Sequence, residues 1–180
     1  EDALAATRAA VEESARLPWL LIGMLGGIGN SMILGNFDTT FAAHPEMALY
    51  IPLIGGTGGN VGTQSSALVV QGLANSSLDA NNTWKQILKE SVVALINATI
   101  ISMLVYIYNF VRFGPTATVS YSVSLSLFAV VMFASIFGTL VPMTLEKLKI
   151  DPAIATGPFI SITNDIIGMM LYMGITVLLS

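Results

Sequence analysis

The sequence predicts an all-α integral membrane protein with five transmembrane helices preceded by a short amphipathic helix. Of its 180 residues, 54% are hydrophobic and only 10% are charged, which is too little polar surface for a soluble globular protein. Five segments carry few or no charges and are each long enough to cross the roughly 30 Å core of a lipid bilayer. The predicted spans are residues 17–37, 47–74, 86–111, 119–145 and 152–180.

Residues 1–16 are predicted to form the amphipathic helix. In this segment Ala, Leu and Val alternate with Glu and Arg at roughly helical spacing, as in helices that lie at a membrane interface. Pro18 follows at the start of the first span, and proline is well tolerated in the first turn of a new helix. We therefore divide the chain into a cytosolic linker helix, 1–16, and a five-helix membrane domain, 17–180.

The third span carries a start signal in its sequence. Thr83 is followed three residues later by Gln86, which is the spacing of a capping box, in which two side chains satisfy free backbone donors. The third helix is therefore predicted to begin at Thr83.

The basic residues predict the orientation of the chain in the membrane. Six of the seven Lys and Arg residues fall in connections, or in the first turn of a span, on one side of the predicted membrane, and only Arg112 falls on the other. By the positive-inside rule, the N-terminus is cytoplasmic and the C-terminus lies outside. The six are Arg8, Arg16, Lys85, Lys89, Lys147 and Lys149.

The composition also excludes several classes of function. With a net charge of -4 and scattered basic residues, the chain has no basic patch for nucleic acid. Without cysteine it has no thiolate metal site. An intramembrane protease needs a second acid or a serine paired with histidine, and the only histidine, His44, falls in a predicted outer loop. We therefore do not expect an enzyme.

Asp165 is an acidic residue in the middle of the fifth predicted span. At 1.5 Å per residue it lies about 20 Å from either end of that span. A charge there costs at least roughly 2.5 to 3.5 kcal/mol, so such residues usually face a water-filled cavity or the interior of a bundle. Two interpretations remain open: a cation ligand, or a protonated acid hydrogen-bonded to Asn97 or Gln64 between helices.

The second span contains a run of glycines, "GGTGGNVG", at residues 55–62. Together with Asn60, Thr63 and Gln64, the run is too polar and flexible for a helix that faces lipid. Glycine lets backbone carbonyls line a passage, and it also lets helices approach closely, so the run alone favours neither role. A phosphate-binding loop is excluded because the Lys that such a loop needs is missing.

The segments "PLIGGTGGNVGTQSSALVVQGLA" and "DPAIATGPFISITNDIIGMMLY" resemble the transmembrane domain of the MgtE family of magnesium channels. The resemblance implies a homodimer with five helices per protomer and a pore on the dimer axis, between the second and fifth helices of both copies. It implies Mg²⁺ as the transported ion, a cell (inner) membrane location, and the lipid bilayer and divalent cations as partners. Full-length family members also carry cytosolic regulatory domains, so this sequence is expected to be an isolated pore domain or a naturally short member.

The resemblance also assigns residues. Asp165 matches the ion-selecting acid of the family, and the backbone of Ser161, Gly56 and Gly59 is implied to contact the ion. Further residues are implied at the pore wall, Asn60, Thr63 and Gly157, and at the cytoplasmic mouth, Asp151, Glu12 and Glu13.

The function predicted from these observations is a magnesium-selective channel that conducts hydrated Mg²⁺ down its electrochemical gradient. Mg²⁺ releases its water reluctantly, and two Asp165 carboxylates facing one axis would match its two positive charges. A sodium- or proton-coupled divalent cation transporter is the second hypothesis, and a nonconducting membrane scaffold is the third.

Overall fold

The computed structural model describes residues 2–153 and 157–180, and within these residues the chain is all-helical, as predicted. Glu1 of the predicted linker helix and residues 154–156 of the predicted fifth span lie outside the described residues. The α-helices are α1 (Asp2–Gly35), α2 (Asp38–Ala43), α3 (Ile51–Ala74), α4 (Thr83–Phe113), α5 (Thr118–Lys147) and α6 (Pro158–Leu179), with 3₁₀ turns at Pro45–Tyr50 and Ala80–Asn82.

Four helical segments of the described chain are long and apolar enough to cross a membrane: Asp2–Gly35, Ala80–Phe113, Thr118–Lys147 and Pro158–Leu179. They correspond to the first, third, fourth and fifth predicted spans, so the chain is a multi-pass membrane protein. Helix α3, at the second predicted span, has 24 residues and no charge, but its glycines and polar side chains keep it out of this group of four.

The sequence predicts that a new helix starts near Pro18, but the structure shows no new start there. Asp2–Gly35 is one continuous helix with Pro18 inside it, so the predicted linker helix and the first span form a single element. An internal proline removes one backbone hydrogen bond and usually kinks or ends a helix. None of the residues of α1 is buried, and surrounding polar groups or water can satisfy the freed carbonyl there.

The starts of two other helices refine the predictions. Helix α4 begins at Thr83, as predicted, but no capping box forms, because Thr83 is already helical and its hydroxyl donates to the carbonyl of Ala80. Helix α6 begins at Pro158 rather than at residue 152. Proline suits the first turn because its missing N–H would have no helical partner there.

The bundle is organised around α5, which carries more buried residues than any other helix and packs against α3, α4 and α6. Helices α3 and α5 cross at two glycines. A Cβ added to Gly138 would lie 2.6 Å from the carbonyl oxygen of Gly62 and 3.2 Å from its Cα, so the two backbones are in direct contact. Helix α1 packs mainly against α6, which leaves it at the edge of the bundle.

One buried hydrogen bond fixes the end of α6 against the Pro45–Tyr50 turn. Tyr172 and Met47 are both fully buried, and the Tyr172 hydroxyl donates to the Met47 carbonyl over 2.9 Å. Removing the hydroxyl takes one donor from a buried carbonyl, and the loss of a hydrogen bond costs about 0.5 to 1.5 kcal/mol.

We therefore expect Tyr172→Phe to lower the melting temperature in detergent by several degrees, since about 1 kcal/mol corresponds to about 2 to 4 °C in a protein of this size. Tyr121→Phe is the matched control, because Tyr121 is 43% exposed and should melt like the wild type. Equal melting temperatures for the two variants would show that the buried bond adds nothing to stability.

Candidate ion site

The Asp165 carboxylate lies over the glycine face of α3. A Cβ added to Gly55 would be 3.5 Å from Asp165 Oδ1, and one added to Gly59 would be 3.9 Å from that atom and 3.6 Å from Ser161 Oγ. Ser161 and Asp165 are one turn apart on α6 and therefore share a helix face. The sequence thus brings a carboxylate, a hydroxyl and an unshielded backbone together where α3 and α6 cross.

The glycines of α3 serve both of the roles that the sequence left open. Gly58 and Gly62 allow close packing, because an added Cβ would lie 2.8 Å from Val130 Cγ1 at the first and would clash with Asn164 Nδ2 at the second. Gly56 has open space where its Cβ would be. One face of α3 therefore packs against the bundle, and another borders a cavity.

This cavity has a volume of about 520 Å³ and is open toward the outside of the protomer. A Mg²⁺ ion with its first water shell is about 7 Å across, which corresponds to about 170 Å³. The cavity can therefore accept a hydrated ion with space to spare. Its lining residues are Asn30, Ile51, Pro52, Gly55, Gly56, Gly59, Asn60, Thr63, Gln64, Ser161, Asp165 and Met169.

Within residues 2–153 and 157–180, Asp165 has no hydrogen-bond or ion-pair partner. Gln64 lines the same cavity but makes no hydrogen bond to Asp165. The alternative prediction, in which Asp165 is hydrogen-bonded to Asn97 or Gln64, is therefore not what the structure shows. A partly buried carboxylate without a protein partner is free to accept hydrogen bonds from water or from the shell of a cation.

The chemistry offered to a cation is therefore a single carboxylate with neutral oxygens around it. The hydroxyls of Ser161 and Thr63 and the amide of Asn60 line the same space. Ser161, Gly56 and Gly59 lie in regular helix, where each carbonyl oxygen keeps a second lone pair. Among the described residues, no three His, Cys, Asp or Glu side chains form a group that could hold a metal ion.

The predicted site residues fall into three places. Six of them, Asp165, Ser161, Gly56, Gly59, Asn60 and Thr63, line the cavity just described. Gly157 and Asp151 instead line a second cavity, also of about 520 Å³, together with Arg16, Trp19 and Pro158. Glu12 and Glu13 are exposed on α1 and line neither cavity.

Two further polar residues, one at the cavity and one behind α3, were not predicted from the sequence. Asn30 reaches the cavity from α1, and its only signal was an amide within an otherwise apolar and glycine-rich span. Glu90 of α4 lies behind α3, where its Oε1 accepts a hydrogen bond of 2.7 Å from Ser65 Oγ. It is a second acid within a predicted span, in addition to Asp165.

A sequence model of the MgtE family, described as divalent cation transporters, matches residues 51–175. Curated relatives are the magnesium transporter MgtE of Bacillus subtilis (33% identical, covering 94% of this chain), of Thermus thermophilus (33%, 92%) and of Enterococcus faecalis (30%, 90%). The chain spans 36% to 37% of the length of these relatives. The family match covers α3 and most of α6, which carry Asp165 and the glycine run, and extends over most of the chain. The chain therefore belongs to the MgtE family of divalent cation transporters.

Proposed function

We propose that this chain forms the pore of a magnesium-selective channel, which conducts hydrated Mg²⁺ down its electrochemical gradient. The observation that carries the proposal is the unpaired carboxylate of Asp165, held over the glycine face of α3 in a cavity large enough for a hydrated ion. The names of the relatives, magnesium transporters, support Mg²⁺ as the ion.

The proposed pore contains two copies of the chain. One Asp165 supplies a single negative charge, whereas Mg²⁺ carries two positive charges, so a two-fold axis beside the cavity provides the second carboxylate. In this arrangement α3 also spans the membrane, which brings the number of spans to five. Its polar face meets water and the partner copy instead of lipid. Such a dimer explains why Gly55, Gly56 and Gly59 of this uncharged helix lie on a face that borders a cavity rather than the packed bundle.

Recognition in the proposed pore occurs through the ion's own water. Mg²⁺ holds its oxygen ligands at about 2.0 to 2.1 Å and loses water reluctantly. Bound waters donate hydrogen bonds, and the carboxylate of Asp165, the amide of Asn60 and the hydroxyl of Thr63 accept them. The carbonyls of Gly56, Gly59 and Ser161 add acceptors that carry no net charge, so two carboxylates and one ion remain balanced.

The proposed topology has a cytoplasmic N-terminus and a C-terminus outside the cell membrane. The second cavity, with Asp151 and Gly157, then lies at the cytoplasmic mouth, and the exposed Glu12 and Glu13 add negative charge to the approach from that side. An inside-negative potential favours entry of a divalent cation by roughly 4.6 kcal/mol per 100 mV. Passive conduction therefore accumulates Mg²⁺ without another energy source.

Glu90 favours a second candidate function, a sodium- or proton-coupled divalent cation transporter. Acids within membrane helices often form proton relays, and Glu90 is hydrogen-bonded to Ser65 behind the helix that lines the cavity. The two candidates differ in what drives net uptake.

Uptake of Mg²⁺ by proteoliposomes separates them. With equal pH and sodium on both sides, a channel should fill the vesicles in proportion to an imposed inside-negative potential, and protein-free vesicles should stay empty. Uptake that needs a sodium or proton gradient would favour the transporter. No uptake under any gradient would contradict both candidates and favour the nonconducting scaffold.

The mass of the purified protein in detergent tests the proposed dimer. It should be that of two chains, and a strict monomer would contradict the shared two-fold axis.

A further inference from the structure

The structure brings a third helix to the cavity, through Asn30 of α1. Helices α1 and α6 run in the same direction, because Arg16 and Trp19 share a cavity with Pro158, whereas His44, beyond the end of α1, lies 3.3 Å from Ser180 Oγ at the end of α6. Each successive turn of α1 therefore lies beside the corresponding successive turn of α6.

The two helices meet closely one turn before Asn30. A Cβ added to Gly26 would lie 2.5 Å from Ile162 Cγ2, so only glycine leaves room for this side chain. In an α-helix, residues four apart lie above one another on one face. Asn30 is four residues after Gly26, and the equivalent step along α6 from Ile162 leads to the turn that holds Asp165. Asn30 and Asp165 accordingly line the same cavity.

The amide oxygen of Asn30 has no partner of its own. Asn30 Oδ1 is buried and makes no hydrogen bond within the described chain. A buried acceptor without a donor is unfavourable. As placed, Oδ1 is shielded from solvent, and a turn of the amide about the Cβ–Cγ bond brings the oxygen toward the polar cavity that Asn30 lines, where it can accept from a hydrated ion. By contrast, the amide of Asn36, just beyond α1, donates to the carbonyl of Met32 over 3.0 Å.

We propose that Asn30 is a further specificity-determining residue, whose amide oxygen accepts a hydrogen bond from the water shell of a divalent cation held at Asp165. This inference rests on the proposed function and extends the site from two helices to three. Because the amide is neutral, it adds an acceptor without disturbing the charge balance between two carboxylates and one Mg²⁺. An acceptor at a fixed distance favours the compact shell of Mg²⁺ over the larger and more variable shell of Ca²⁺.

The test compares Asn30→Ala, which lacks the acceptor, with Asn30→Ser, which restores an oxygen on a small side chain. One lost hydrogen bond of about 0.5 to 1.5 kcal/mol corresponds to about a two- to tenfold change. We expect Asn30→Ala to raise the Mg²⁺ concentration needed for thermal stabilisation in detergent by that factor and to lower the Mg²⁺-to-Ca²⁺ flux ratio. Asn30→Ser should recover part of both, and the control Asn36→Ala should match the wild type.

Measuring binding as well as flux keeps this inference separate from the proposed function. If the wild type is stabilised by Mg²⁺ but conducts none, the channel proposal fails. The role of Asn30 is then still tested by the change in the Mg²⁺ concentration needed for thermal stabilisation. An Asn30→Ala protein with unchanged Mg²⁺ binding and unchanged selectivity overturns the inference. If Asn30→Ala does not fold, Asn30→Leu, which keeps the approximate size of the side chain but has no acceptor, should show the same loss, and wild-type binding in Asn30→Leu would likewise overturn it.

Discussion

Replacing Asp165 with Asn should reduce Mg²⁺ flux through reconstituted protein at least tenfold. An outer-shell carboxylate oxygen lies about 5 Å from the metal centre, the sum of a Mg–O distance and a short hydrogen bond. At an effective dielectric constant of about 20, one carboxylate at this distance attracts a divalent cation by roughly 6 to 7 kcal/mol before desolvation. Asn keeps the shape and an oxygen acceptor but removes that charge from both copies.

The matched control is Asp38→Asn, which removes an exposed acid at the start of α2, outside the four candidate spans. It should conduct like the wild type. Melting of each variant without Mg²⁺ checks that the fold is intact. Wild-type flux in a folded Asp165→Asn protein would show that this carboxylate does not attract the ion, and the proposed site would be wrong.

The second large effect is expected on stability, from Gly138→Ala. An added Cβ would lie 2.6 Å from the carbonyl oxygen of Gly62 and 3.2 Å from Ser65 Cβ. The first of these atoms is backbone, so the clash is relieved only by moving α3 away from α5. Overpacking of this kind costs typically 1 to 3 kcal/mol and occasionally more, and α3 also carries the cavity wall.

We expect Gly138→Ala to lower the melting temperature in detergent by about 5 °C or more, or to prevent the recovery of folded protein. Gly174→Ala in α6 is the control, because nothing lies within 4 Å of the added Cβ and alanine is the better helix former. It should melt at or above the wild-type temperature. A stable Gly138→Ala protein would mean that the α3–α5 crossing is looser than the structure indicates.

Much of the fold was predictable because long apolar runs leave a chain few alternatives in a bilayer. The apolar spans on either side of Thr83 follow from hydropathy, and the helix does begin at Thr83, although the capping box that indicated this start does not form. Pro18 was misinterpreted because proline is favoured in the first turn of a helix, whereas inside a helix it usually causes a kink or a stop. The sequence does not state which neighbours will satisfy the freed carbonyl and so allow the helix to continue. The start of α6 at Pro158 was missed for a similar reason, since apolar composition alone marks no boundary there.

The candidate site was predictable where its residues belong to one segment of the chain. Asp165 was conspicuous because a mid-span acid is costly, and Ser161 shares its face one turn away. The sequence could not divide the glycines of α3 between packing and cavity, because Gly56 and Gly62 differ only in which neighbours they meet. Asn30 is far from Asp165 along the chain, and only the close approach of α1 to α6 at Gly26 brings it to the cavity.

The central claim is passive conduction of Mg²⁺ through a pore lined by Asp165, and the reversal potential of the purified protein in a planar bilayer tests it most directly. With Mg²⁺ as the only permeant cation at different concentrations on the two sides, the account predicts a current that reverses near the Nernst potential of a divalent ion, about 30 mV per tenfold gradient. Absence of any Mg²⁺ current, or a reversal potential that follows an imposed sodium or proton gradient instead, would contradict it.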